Sequence, residues 1–311
     1  MATLWRQYRF KMRTIHSATL IASLAACSIA FGQSGKSKEG YALSWERPIT
    51  VVPDSLANGK HRLPAWSIAV FEAGESTVLD LWRTEMKAIS QGVSGNKPAK
   101  ATSARIPGLG EIGVLTMAVA DADKKADMTR LTVAFAANDS LPLATADGQE
   151  AYMRSLAVKF NKAVVQEQVA TYEKMLGKAS GKLSDTQKDV AKERSAITKA
   201  QNRLESIKSK RSRIEKDNAG ITGDIAGLEK KFALSNDPKH LKKLTKARTK
   251  LAKGESAVAK LMEQEASVQG DLAKHQGRLE NQAGKQEERG ETKEELQRLL
   301  DALKRKQDAI R

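Results

Sequence analysis

Few residues in this chain are of types that do chemistry, and their spacing decides what they could do. Cys27, within "LAACSIAFGQ" (Leu24 to Gln33), is the only cysteine in 311 residues. It could be a thiol nucleophile, a thiolate ligand or a point of lipid attachment. The four histidines, His16, His61, His240 and His275, are isolated. No two have metal-ligand spacing, and no serine, histidine and acid cluster suggests a catalytic triad. "GLGEIG" (Gly108 to Gly113) matches the dinucleotide-binding pattern but precedes a strand-like run. That pattern needs a helix N-terminus after it to hold the pyrophosphate, so these glycines read as a turn. "GKS" (Gly35 to Ser37) resembles the end of a phosphate loop, yet Ala30 stands where its first glycine should be. Asp121, Asp123 and Asp127 in "DADKKAD" could hold a divalent cation, but the paired lysines favour a hairpin turn. The expectation is therefore no catalytic residue, no cofactor and no metal: the chain does not read as an enzyme.

What remains is charge. Lysine and arginine total 53 against 37 acids, a net of +16. Residues 33 to 161 are balanced, with 15 basic and 14 acidic residues. Residues 162 to 311 hold 34 basic and 23 acidic ones, and 16 of the former but 6 of the latter fall between Lys199 and Lys253. That leaves 18 against 17 elsewhere in the segment, so the excess is concentrated in one place. Its densest runs are "KSKRSR" (Lys208 to Arg213) and "KHLKKLTKARTK" (Lys239 to Lys250). The candidate contact residues are Lys208, Lys210, Arg211, Arg213, Lys239, Lys242, Lys243, Lys246, Arg248 and Lys250. Such a cluster suits a polyanion: lipid headgroups, lipopolysaccharide or an acidic partner. The competing reading is a solvated helix face, the usual meaning of lysine-rich heptads. Nucleic acid is disfavoured, because the chain reads as exported and Phe232 is the only aromatic available for stacking there.

Export follows from the first 32 residues, which carry Arg6, Arg9, Lys11 and Arg13 and no acid, followed by "TIHSATLIASLAACSIAF". A basic start, an apolar stretch and small residues before a cut form a secretory signal. Met12 could be an alternative start, and a retained N-terminal anchor is the competing reading, although the apolar stretch is short for a span. Two cuts compete. Cleavage before Cys27 would leave a lipidated cysteine as the N-terminus. Ala30 and Gly32 suit ordinary cleavage before Gln33, and the apolar "SIAF" after Cys27 favours that cut. The mature chain would then hold no thiol, which excludes disulfides and thiolate chemistry together. Either way the expected location is the periplasm or the outer membrane.

The elements that must position the charge follow in order. A polar tether (33–40) leads into an α+β domain (41–160). "PAWSIAVFEA" (Pro64 to Ala73) alternates like a strand. "STVLDLWRTEMKAIS" places Val78, Leu79, Trp82, Met86 and Ile89 on one helical face, starting at Glu75 or Ser76. "ATSARI", "EIGVLTMAVA" and "MTRLTVAFAA" are three further strands, giving a small antiparallel sheet with a helix on one face. Trp45, Trp66, Trp82 and Phe135 are its expected core.

From residue 161 the period changes to 3.5. Alternate steps of four and three from Val165 reach Phe232 in 20 positions, of which 16 are apolar; Thr186, Glu193, Arg211 and Asn218 are not. That is the seam of a coiled coil. "ALSNDPKHL" interrupts it, with Asp237 as N-cap and Pro238 at the first helical position. A second seam runs from Leu241 to Ile310, with a three-residue stammer expected near Val258 to Leu261. Two arms of about 100 Å around a turn near 235–239 make an antiparallel helical hairpin with the cations at its tip. His275, Gln282, Gln286 and Arg289 weaken the second seam, and Gly270, Gly277, Gly284 and Gly290 should let it bend.

"AWSIAVFEA", "LDLWRTEMK" and "ARIPGLGE", with a signal ending near "FGQ", resemble a family of exported proteins of Bacteroidetes-type bacteria. The resemblance implies an α+β domain followed by a long helical tail, and no particular activity. Together these readings suggest an envelope interaction or structural protein that presents a basic tip to an anionic component, an acidic protein or a membrane surface. Self-association through the coiled coil fits the same plan. The alternative is a periplasmic holdase-type chaperone with basic helical arms.

Overall fold

The computed structural model describes residues 40–110, 113–143 and 147–311. Cys27, His16, "GKS" and the export segment lie outside these residues. The first element is one that the sequence reading missed. β1 (Val51–Asn58) and β2 (His61–Phe71) form a hairpin in which Asn58 opposes His61 across a two-residue turn. Gly59, the first of the two central residues, takes φ +59 there, the conformation that a Gly-X hairpin turn requires. β3 (Gly92–Ser94) was also missed, because three residues are too short to show alternation. With β4 (Ala99–Ala104), β5 (Val114–Asp123) and β6 (Met128–Ala136), the strands make a six-stranded antiparallel sheet in the order β1-β2-β6-β5-β4-β3.

One face of the sheet is covered by α1 (Glu75–Ile89) and by the start of α2 (Asp147–Ser235). Val78, Trp82 and Met86 from α1 and Tyr152, Met153, Leu156 and Phe160 from α2 pack on Ile68, Val70, Leu131, Val133 and Phe135. β1 stops pairing at Ile68, and beyond it Asn161 of α2 serves the backbone of β2. Its Nδ2 donates to the Ala69 carbonyl at 3.0 Å and its Oδ1 accepts from the Phe71 N–H at 2.9 Å. The opposite face carries a smaller core of Leu56, Leu63, Ala65, Met117, Ala134 and Ala136. Trp82 and Phe135 are buried as expected. Trp66 is half-buried, its Nε1 donating to Gln149 Oε1 at 3.1 Å. Trp45 is not in the sheet core: it packs edge-on against Phe71, beside the base of the long helices.

No break separates head from arm at residue 160, because α2 continues for 89 residues, about 130 Å. It ends at Asn236, whose φ of 52 is the left-handed stop of a helix C-terminus and whose N–H donates to the Phe232 carbonyl. α3 (Pro238–Ala309) then starts on the Asp237 cap, which accepts from the Lys239 N–H at 2.8 Å. Cross-helix partners run antiparallel: Glu229 with Arg248, Arg211 with Glu265, Thr186 with Arg289, and Glu173 with Lys304.

All 20 seam positions of α2 between Val165 and Phe232 are buried or half-buried. The second seam needs correcting. Alternate steps of three and four from Leu244 reach Ile310 in 20 positions without a stammer, and only Lys293 among them is exposed. The apparent irregularity came from passing over Gly254 and Glu265, which occupy the seam, and from counting Leu241, which does not. The position in step with Leu244 is His240, half-buried, whereas Leu241 is 47% exposed. α3 also runs unbroken past Gly270, Gly277, Gly284 and Gly290.

Candidate functional site: the cationic turn between the long helices

The polar residues that interrupt the two seams meet one another. The Arg211 guanidinium bonds to the Glu265 carboxylate, which is almost buried, and reaches Glu215 at 3.4 Å. His275 Nδ1 lies 2.6 Å from Glu193, and Arg289 donates to the Thr186 hydroxyl and the Lys182 carbonyl. Asn218 lies over Gly254, where a Cβ would come within 1.9 Å of its Oδ1. Arg211 therefore belongs to the interior of the rod, and of the ten candidate contact residues it is the one turned away from a partner.

Arg248 is exposed but shared with Glu229 at 2.7 Å. Lys208, Lys210, Arg213, Lys239, Lys242, Lys243, Lys246 and Lys250 are exposed, and among the described residues no carboxylate pairs with them. Lys230 and Lys231, absent from the candidate set although "EKKF" pointed to them, are exposed beside these. Of the six acids between Lys199 and Lys253, Glu215 is shared with Arg211, Glu229 with Arg248 and Asp237 with the α3 cap, while Glu205, Asp217 and Asp224 are exposed. The tip thus gathers unpaired cations from both arms, on a turn that Asn236 and Asp237 define.

At the apex the chemistry is mixed. Leu234 is 89% exposed, and Leu241 lines a groove of about 470 Å³ with Pro238, Lys242, Thr245, Lys246 and Thr249.

The base of the rod is fixed to the head by a cluster that sequence reasoning did not find. The Lys306 ammonium donates to Glu72 Oε2 at 2.6 Å, to the Ala42 carbonyl at 2.8 Å and to Gln168 Oε1 at 3.4 Å. Glu72 also accepts from Gln168 Nε2 and from the Ala42 N–H. Burial pushes the Glu72 carboxyl upward, but Lys306, Gln168 and the Ala42 N–H outweigh it and hold the group below its ordinary value. Around the cluster Val165, Tyr172, Leu300, Leu303 and Ile310 pack with Tyr41, Leu43 and Trp45. Lys306 and Glu72 are 234 residues apart, beyond the reach of any local pattern.

A second concavity, of about 920 Å³, lies on the sheet face away from the helices. Asp54 there accepts from Ser67 Oγ at 2.5 Å, from the Ser55 N–H at 2.7 Å and from Thr132 at 3.4 Å. The Ser67 hydroxyl is the main cause that keeps Asp54 below the usual carboxylate range, so it is an acceptor rather than a proton donor. Lys97 pairs with Asp121 at 2.9 Å. Asp123 caps its own turn, accepting from the N–H groups of Lys125 and Ala126. The cleft carries both signs and lacks the single-sign field of the tip.

Among the described residues no group of histidine, cysteine, aspartate and glutamate could hold a metal, and no helix is long and apolar enough to cross a membrane. Comparison with known proteins finds no family model and no curated relative that matches the chain.

Proposed function

We propose that this chain is an exported envelope interaction protein. In this reading α2 and α3 form an antiparallel coiled-coil hairpin that the head holds at its base, and the basic tip meets an anionic partner about 100 Å away. The observation that carries the reading is the concentration of exposed, unpaired lysines around the Asn236–Asp237 turn, on a rod whose other charges nearly balance. A merely solvated face would spread its charge along both arms. The interaction reading is favoured over a holdase because each arm spends its apolar seam on the other rather than presenting it to a client.

The test compares two variants of equal net charge. One reverses Lys208, Lys210, Lys242, Lys243 and Lys246 to glutamate; the other reverses Lys174, Lys178, Lys182, Lys285 and Lys293 along the arms. On immobilised heparin the tip variant should elute at clearly lower salt than the arm variant, because the slope of binding against salt follows the number of contacts neutralised. Equal elution of the two would overturn the reading.

A further inference from the structure

The tip carries more than charge. α2 and α3 keep most of their large apolar residues in the seam; Met262 is exposed partway along α3, and at the apex two leucines leave the seam close together. Leu234 lies two residues past the last seam position, Phe232, and Leu241 one residue past His240. At about 100° per residue each points well away from the opposite arm. At 89%, Leu234 is the most exposed large apolar residue among those described. Neither leucine belongs to a buried apolar cluster among the described residues. Lys230 and Lys231 flank Leu234, Lys239 and Lys242 flank Leu241, and Lys246 lines the groove beside Leu241 with Thr245 and Thr249, whose hydroxyls donate to the Leu241 and Thr245 carbonyls.

We infer that the tip docks on the surface of an anionic lipid bilayer, with Leu234 and Leu241 entering the headgroup and acyl boundary while the surrounding lysines hold the phosphates. This rests on the tip being a polyanion contact and names the partner. A soluble polyanion would engage the lysines and leave both leucines in water. A bilayer offers both chemistries at one depth: an anionic layer and, a few ångströms below, hydrocarbon. Lysine suits this arrangement, since its apolar stem lies along the boundary while its ammonium stays in the headgroup layer. An acidic protein with an apolar pocket would satisfy the same list, and the assay separates it.

The experiment uses the full chain and vesicles of phosphatidylcholine with 30% phosphatidylglycerol, read by co-sedimentation at low and high salt. Leu234→Ser with Leu241→Ser should weaken vesicle binding about a hundredfold, since burying each leucine is worth about tenfold in affinity and the two losses multiply. The same variant should keep its heparin elution unchanged. The five-lysine tip reversal should lose both kinds of binding, at about fivefold per lysine near the membrane surface. Leu241→Trp should show blue-shifted emission and quenching by brominated lipid on binding. If the double serine variant sediments like the unmodified chain, or the unmodified chain ignores these vesicles at low salt, the bilayer inference fails. The charge reading then survives provided the heparin difference persists. If tip reversal leaves heparin elution like that of the arm variant, the charge reading itself fails.

Discussion

Lys306→Met tests how the rod is held. The substitution keeps most of the side-chain volume but removes the ammonium that Glu72, Gln168 and Ala42 share. The Lys306 and Glu72 side chains are only 1% and 6% exposed, so solvent cannot replace the lost partner. All three ammonium protons have acceptors, and Glu72 accepts from three groups, so the cluster is saturated in the unmodified chain. Removing one member of such a pair strands the other charge, at a cost of about 3–5 kcal/mol. Glu72→Gln should cost a similar amount by stranding the ammonium. The double variant removes both charges and should recover most of the loss, because replacing a whole buried pair is far less costly than breaking it.

Urea unfolding followed by tryptophan fluorescence reads this directly, since Trp45 packs in the cluster at the same junction. The double-variant cycle should give a coupling of about 2 kcal/mol or more. A Lys306→Met cost below about 1 kcal/mol, or additive single losses, would refute the argument that the cluster is a closed and desolvated one. The pH dependence has a definite sign. Glu72 is held below the ordinary glutamate value of 4.5. Its contribution to stability is complete above that value and is lost as pH falls through the lower, folded one. The Glu72→Gln, Lys306→Met variant should therefore lose less stability on acidification from neutral pH than the unmodified chain.

Two further outcomes follow from the arms. A Cβ at Gly270, Gly277 or Gly284 would meet nothing within 4 Å, so the triple alanine variant should gain about 2–3 kcal/mol of helix stability; an unchanged or lower thermal midpoint would contradict that. Arg211→Met leaves Glu265 nearly buried without its counter-charge, and should cost about 2 kcal/mol and speed amide exchange in the flanking turns of both arms. Exchange rates equal to those of the unmodified chain would show that the pair does not hold the seam.

The parts of the fold with a short period were legible in the sequence, and the parts that depend on distant partners were not. Val165 to Phe232 could be read because each seam residue lies three or four positions from the next. α1 could be read from Val78, Trp82 and Met86 for the same reason. β1 was lost because Pro53, Asp54 and Ser55 hide its alternation, although Gly59 between two strand-length runs marks the turn that would have revealed it. The stammer was inferred only because a glycine and a glutamate were discounted as seam residues. Gly254 is there to admit Asn218, and Glu265 to meet Arg211, and each is intelligible only beside the other arm. The cations of the tip were legible as a run, yet Arg211 could not be told from Lys208 without knowing which way the helix faced.

The polar seam residues also bear on how a tip contact would reach the head. A purely apolar seam of period 3.5 tolerates sliding by a heptad, since leucine meets leucine again after each shift. Between α2 and α3 a shift of seven residues would separate Arg211 from Glu265, Glu193 from His275 and Thr186 from Arg289 together. It would also withdraw Lys306 from Glu72 at the base, stranding several partly buried polar groups at once. One register is thereby strongly preferred, at both ends of the rod and along its length. A load applied at Leu234 and Lys242 is then carried along α2 and α3 to the head rather than dissipated by slippage. Fixing the register also fixes the turn, and with it the departure of Leu241 from the seam. The same charged pairs that look like flaws in the heptad pattern therefore determine which side chains the apex presents.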